Sequence, residues 1–209
     1  MRAQAISPTL LVELIADRIA EYPAADRVRV ALDGAPAAKP GQLADDLVAP
    51  LRLRGRTVLR AEARHFLRPA SLRLEFGRTD PDVYHDEWLD TKALARELLD
   101  PLASDGTGRA LPAFWDAEAD RASRAQYVRL PPGGVLLLDG PLLLGRCLPF
   151  DLTVHLWLSP AALARRTPPG EAWTLPAYAR YEDEVDPAHT ATIVARVDDP
   201  AHPALVHQD

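Results

Sequence analysis

The sequence has a single cysteine, Cys147, and only two lysines, Lys39 and Lys92, in 209 residues. One thiol excludes an internal disulfide and fits a reducing compartment. Cys147 lies among apolar residues, which predicts a buried, inert thiol. Positive charge is short as well: the net charge is -6, against a general nucleic-acid or anionic-membrane surface. A small anionic ligand stays compatible, because a local site can be positive on an acidic chain. No apolar run is long enough to span a bilayer and no signal-peptide pattern is visible, so the expectation is a cytoplasmic protein. With 47% hydrophobic and 26% charged residues, the composition is that of a globular chain with one sizeable core. No repeat, low-complexity tract or linker interrupts it, and one domain over 1–209 is expected.

Periodicity orders the elements. "SPTLLVELIADRIAEYP" predicts a helix with Ser7 as N-cap and Pro8 in its first turn. "RVRVAL" predicts a strand, and "GQLADDLVAPLRLRG" a helix disturbed by Pro50. "RTVLRAEA" predicts a second strand, residues 64–90 read as irregular, and "TKALARELLDPL" as a short helix. "SDGTGRALPAFWDAEADRA" reads as a loop or hairpin. "GGVLLLDG" and "DLTVHLWLS" are continuous apolar runs, the mark of central strands covered on both faces. "PAALARRT" and "TLPAYARYEDEV" predict helices, "TATIVARVDDP" a late strand, and "ALVHQ" an edge strand. Strands separated by helices imply a three-layer α/β/α sandwich with a mostly parallel sheet of about five strands. The strands near 28–32 and 135–139 should lie together at its centre.

The loop leaving the first central strand, "LDGAPAAKPGQLADDL", has the layout of a phosphate-binding loop, GxxxxGK[ST], with altered chemistry. In register, Gly34 matches the first glycine and Lys39 stands at the second. Pro40 stands at the lysine and Gly41 at the hydroxyl residue. Pro40 has no backbone N–H to give a phosphate, and Gly41 has no hydroxyl to give magnesium. Poor binding of magnesium ATP is the expectation. The other reading of Lys39 is that its side chain reaches back to an anion around a remodelled loop.

Six segments together resemble the uridine-kinase-like P-loop kinases, in particular a divergent bacterial branch. "ALDGAPAAKPGQLADDL" is similar to its DGxxGxGKTTxAxxL loop and helix, and "HFLRP" to its DFHRP segment. "FGRTDPDVYHDEWLD" resembles RGRDSPEGYYxDxFD, and "ELLDPLASDGTGRALPAFWDAEADRA" resembles an LLDPLGPGG…FD…D stretch. "VLLLDGPLLL" resembles VLLVDGVFLL, and "VARVDDPAHPALV" the VVDNTDPAAPVL tail. The resemblance implies a P-loop kinase-like fold, with ATP and Mg²⁺ as cofactors and a small-molecule acceptor such as a nucleoside or a phosphorylated compound. It implies that Gly34, Lys39, Gly41 and Gln42, with Arg166, surround the nucleotide. Asp139, at the end of the apolar strand, would hold the metal. His65 stands where the family has its acidic base, and a histidine can accept a proton near neutral pH. Arg165 would begin the lid, with Arg180 a candidate second lid arginine. Arg68, Arg78, Tyr84 and His85 would face the acceptor. The losses at residues 39, 40, 41 and 65 strike separate roles, so the expected protein is kinase-like in fold, weak or inactive in MgATP-dependent transfer, and still able to bind a small ligand. An active kinase of a nucleoside or another small hydroxyl compound, or a different chemistry in the acceptor cleft, are the alternatives. The sequence does not give an oligomeric state.

Overall fold

The computed structural model describes residues 2–207. Its main sheet has seven strands: β1 (Arg2–Ala5), β2 (Val28–Asp33), β3 (Val58–Glu62), β4 (Val135–Gly140), β5 (Leu152–Trp157), β6 (Ile193–Arg196) and β7 (Ala204–His207). Their spatial order is β1-β7-β6-β5-β2-β4-β3. The five strands from β6 to β3 are mutually parallel, and β7 runs antiparallel to both β6 and β1. β2 and β4 pair directly, with Val30 beside Leu137 and Asp33 beside Gly140. The sheet has two strands more than the about five expected: β7, which the sequence read as an edge strand, and β1, which it did not show. Its four residues are all exposed, so they carry no burial pattern to read. β7 is therefore one strand in from the edge, and Gln208, the last residue of the predicted "ALVHQ" strand, lies outside the described residues.

Strand alternation builds two cores, one on each face. Val28, Val30 and Leu32, with Val135 and Leu137, pack against helices α1 (Pro8–Ala20) and α2 (Pro40–Leu53) through Leu11, Ile15, Ile19, Leu47 and Leu51. Ala31, Leu136 and Leu138 face the other way, toward Phe66, Leu94, Leu98, Leu99, Tyr178 and Tyr181. β4 is buried at all six positions, as its continuous apolar run requires. These layers make the three-layer α/β/α sandwich.

Ser7 caps α1 through its side chain, accepting the Leu10 N–H at 3.2 Å. Pro50 falls in the last turn of α2, and the helix continues to Leu53 with Arg54 closing it onto the Pro50 carbonyl. Residues 64–90 are more ordered than expected: they hold a short turn of helix at Ala70–Arg73 and helix α3 (Pro81–Glu87). Asp80 caps α3 by accepting the Asp82 and Val83 N–H groups, both at 3.0 Å. Residues 109–129 form two small ribbons, Arg109–Ala110 with Val128–Arg129 and Trp115–Asp116 with Arg121–Ala122. Helices α4 (Pro160–Arg166) and α5 (Leu175–Val185) follow β5. Cys147 is exposed, contrary to the buried thiol expected. The apolar run after β4 ends in a turn at Gly145 (φ 73°), and Cys147 itself sits at φ 54° on the surface side of that turn.

One polar clamp holds the start of β2 to the start of β5. Asp151 accepts the Arg29 backbone N–H at 2.7 Å and two guanidinium N–H groups at 3.0 and 2.8 Å. The Arg29 guanidinium is pushed above its usual pKa, chiefly by the hydrogen bond to Asp151. Asp151→Ala leaves that cation unpaired at 13% side-chain exposure. We expect a loss of about 2 kcal/mol in unfolding free energy, below the range for a fully buried pair, read as a shift of the urea midpoint at constant m-value.

Candidate functional site

The order β3-β4-β2-β5-β6 reverses direction at β2, and the crevice at the carboxyl end of such a strand is where open α/β sheets bind ligands. Residues 34–41 fill this place. Gly34 is closely packed: a Cβ there would meet the Leu156 carbonyl oxygen at 3.1 Å and the Leu156 Cβ at 3.2 Å, so a side chain would need Leu156 to shift by a few tenths of an ångström. The next residues form a 3₁₀ turn, Pro36–Ala38. The Ala38 N–H donates to the Ala35 carbonyl at 2.8 Å, and the Lys39 N–H to the Pro36 carbonyl at 3.0 Å. Pro36 and Pro40 have no N–H. Two of the loop's donors, at Ala38 and Lys39, thus close onto the loop itself, where a phosphate cradle turns its donors outward. Lys39 takes the left-handed conformation, φ 58° and ψ 52°, that glycine adopts freely. Lys39 is exposed, and Gln42, one turn into α2, donates to Asp46 at 2.9 Å.

Asp139, near the end of β4, is largely buried and lies directly behind Gly41: a Cβ on Gly41 would come within 3.1 Å of its Oδ2. Its Oδ1 accepts from the Arg60 guanidinium at 2.6 Å. Arg60, on β3, also donates to Asp45 at 3.0 Å and to the Gly41 carbonyl at 3.3 Å. Burial pushes the Asp139 carboxyl up, while Arg60 pulls it down; burial is the larger effect. A guanidinium thus occupies the carboxylate beside which a loop hydroxyl would share a metal. With no hydroxyl at residue 41 and Oδ1 of Asp139 held by Arg60, these residues offer a magnesium ion one carboxylate oxygen, Oδ2, and fit it poorly.

In front of the loop opens a cleft of about 850 Å³, bounded by Lys39, Tyr84, Trp88, Arg166, Trp173 and Tyr178 among others. Its aromatic wall packs edge to face: the Tyr84 ring is 5.0 Å from Trp88 and 5.4 Å from Trp173. The Tyr84 and Tyr178 hydroxyls lie 2.9 Å apart, and burial pushes both phenols up. Arg166 borders the cleft with its guanidinium turned to the carbonyls of Val197, at 2.8 Å, and Asp198.

Of the four residues expected at the acceptor, Tyr84 borders this cleft. Arg68 pairs with Glu87, and Arg78 is exposed elsewhere. His85, one step along α3 from Tyr84, is buried, with Nδ1 2.7 Å from Asp86 Oδ1. Adjacent residues on a helix point about 100° apart, and of the two only Tyr84 borders the cleft. His65 is partly exposed beside β3, with Nε2 3.9 Å from Glu62 Oε1, and Arg165 is exposed on α4. Arg180 bridges Asp86 at 2.8 Å and Glu184 at 2.7 Å, tying α5 to α3. Sequence reasoning missed Arg60, Trp173 and Tyr178. An arginine inside the alternating strand "RTVLRAEA" is the one signal that pointed to Arg60.

No protein-family model and no curated protein sequence matches the chain. Solved structures do match it in fold. A possible uridine kinase from Bacillus stearothermophilus is 20% identical, with a TM-score of 0.70, over 88% of this chain and 96% of the other. A candidate fructose transport system kinase from Silicibacter sp. TM1040 is 21% identical, with a TM-score of 0.57, over 85% and 89%. The YGR205w protein is 11% identical, with a TM-score of 0.58, over 97% and 100%. The chain therefore has the fold of these kinase-like proteins. Among the described residues, no helix is long and apolar enough to cross a membrane.

Proposed function

We propose that this chain, built on the fold of uridine-kinase-like P-loop kinases, binds a small flat-ring compound such as a nucleoside or its monophosphate and has little or no magnesium-dependent phosphoryl transfer. The observation that carries the reading is the Arg60–Asp139 contact at 2.6 Å. Phosphoryl transfer rests on positioning and on neutralising phosphate charge with metal and loop donors. Here the carboxylate at the end of β4 is engaged by a fixed cation, and the loop donors at Ala38 and Lys39 close onto the loop itself. The cleft retains what a flat ring needs, an aromatic wall of Tyr84, Trp88 and Trp173. Lys39 at its border offers one charge for one anionic group.

The test is calorimetric titration with a panel of nucleosides and nucleoside monophosphates, with and without magnesium, beside a phosphoryl-transfer assay with ATP. We expect a ring compound to bind with an affinity that magnesium leaves within about twofold, since no metal bridges ligand and protein. Trp173→Ala should weaken it by about tenfold, the lower end of what one aromatic stacking contact contributes. Binding that tightens strongly with magnesium, or turnover at a normal kinase rate, would remove the proposal.

A further inference from the structure

The aromatic cleft in front of the loop has two unused hydrogen-bonding groups on its wall. The first is a phenol hydrogen. Tyr84 and Tyr178 both border the cleft, and their hydroxyls lie 2.9 Å apart with no other hydrogen-bond partner among the described residues. Burial pushes both phenols up, and the negative charge of Glu171 adds to the shift in each. Both rings therefore keep their protons at neutral pH. The pair holds two hydrogens, and the bond between the rings uses one of them. Whichever ring donates, the other has an O–H left to give.

The second group is the Glu171 carboxylate. Glu171 lies in the 3₁₀ turn Pro169–Thr174, between α4 and α5. Its backbone is pinned on both sides: the N–H donates to the Pro168 carbonyl at 2.8 Å, and the carbonyl accepts the Thr174 hydroxyl at 2.8 Å. Trp173, in the same turn, supplies part of the aromatic wall. Glu171 borders the cleft and is exposed, and its carboxylate has no hydrogen bond or ion pair among the described residues. Because its charge acts on both phenols, the free acceptor and the free O–H belong to one part of the cleft. A flat ring on this wall presents its edge to both groups. The carboxylate takes two parallel N–H donors, and the phenol needs one acceptor. Among the common nucleobases, guanine alone carries that order along one edge: an amino N–H, a ring N–H and a carbonyl oxygen. Uracil and thymine flank one ring N–H with two carbonyls, one of which would face the carboxylate. Adenine and cytosine bring a bare ring nitrogen to it.

We propose that the ligand of this cleft is a guanine nucleotide, its ring N–H and amino group held by Glu171 and its carbonyl oxygen by the Tyr84–Tyr178 pair. This step rests on the flat-ring reading above and narrows it to one base. The volume of about 850 Å³ lies within the size range of small-molecule sites and accommodates a purine nucleotide. Lys39, on the border of the same cleft, meets the phosphate.

The probes are GMP, IMP, AMP and UMP, titrated without magnesium into the full-length protein and followed by calorimetry and by quenching of tryptophan fluorescence. IMP is GMP without the amino group, so this pair isolates one contact to Glu171. We expect GMP to bind about tenfold tighter than IMP and about a hundredfold tighter than UMP, whose carbonyl meets the carboxylate. Glu171→Gln turns an NH₂ group toward the guanine donors. It should weaken GMP by about tenfold while leaving AMP within about twofold, a change of preference that a merely structural role would not give. The melting temperature should stay near that of the wild type, since the side chain is exposed. AMP, UMP or IMP binding as tightly as GMP, or a GMP affinity untouched by Glu171→Gln, would overturn the guanine assignment and leave the flat-ring reading standing. No binding by any of the four or by their nucleosides would overturn both.

Discussion

Titration with magnesium ATP is expected to give the wild-type chain an affinity on the order of a hundredfold or more below that of a variant with the loop rebuilt. That variant carries Lys39→Gly, Pro40→Lys, Gly41→Thr and Arg60→Val together. Lys39→Gly relieves a left-handed residue, at φ 58°, that a side chain occupies at a cost of roughly 1–2 kcal/mol. Pro40→Lys restores an N–H and places the cation at the first helical position. Gly41→Thr puts a hydroxyl next to Asp139, where a Cβ would stand 3.1 Å from Oδ2, so a shift of a few tenths of an ångström is needed. Arg60→Val removes the guanidinium that holds Asp139 at 2.6 Å. Each charge-assisted contact regained contributes roughly 1.5–3 kcal/mol, and two of them together account for the hundredfold. The loop triple mutant without the Arg60 change should recover less, because the carboxylate remains engaged. Turnover should stay low in all of these variants: residue 65 remains histidine and is positioned beside Glu62, 3.9 Å away, rather than on the cleft. Micromolar binding by the wild type that Lys39→Ala abolishes would show a remodelled working loop, and the argument from Arg60 would be wrong.

The layers could be read from the sequence because burial leaves a period. β2 and β4 show it as apolar runs, and α1 and α2 as apolar residues at helical spacing, so their pairing across the sheet followed. β1 left no such trace, since its only reason to be a strand is the backbone of β7 beside it. Short capped helices such as α3 were lost in an Arg- and Asp-rich stretch because their caps are single residues and their apolar faces are two or three positions wide. The site was legible along the chain and illegible across it. Gly34, Lys39 and Gly41 are neighbours in sequence, and their chemistry can be judged from spacing. The Arg60–Asp139 contact joins residues 79 apart, and the Asp33–His155 contact joins residues 122 apart. Nothing in one sequence ties such pairs together. A polar residue inside a buried strand is the trace they leave: Asp33, Asp139 and His155 all break apolar runs, and all three proved to be engaged by a specific partner.

Asp33 carries the second large expected effect. Asp33→Ala should lower the unfolding free energy by about 4 kcal/mol. The carboxylate is fully buried and takes three donors from three parts of the chain: the Leu143 N–H from the segment after β4, the Tyr181 hydroxyl from α5, and His155 Nδ1 from β5. Removing it leaves each donor facing a small apolar space. An unsatisfied buried donor costs about 1–3 kcal/mol, so the sum before relaxation is roughly 3–9 kcal/mol. A water entering the vacated volume offsets part of that, which places the expectation toward the lower end. Asp33→Asn keeps the shape and one acceptor oxygen but turns an NH₂ group toward a donor, and should cost about half as much. Guanidinium unfolding followed by circular dichroism reads both variants, with the m-value as the check that the unfolded states are comparable. If Asp33→Ala unfolds within about 1 kcal/mol of the wild type, the three contacts do not act as a buried acceptor network, since even one orphaned donor should cost that much.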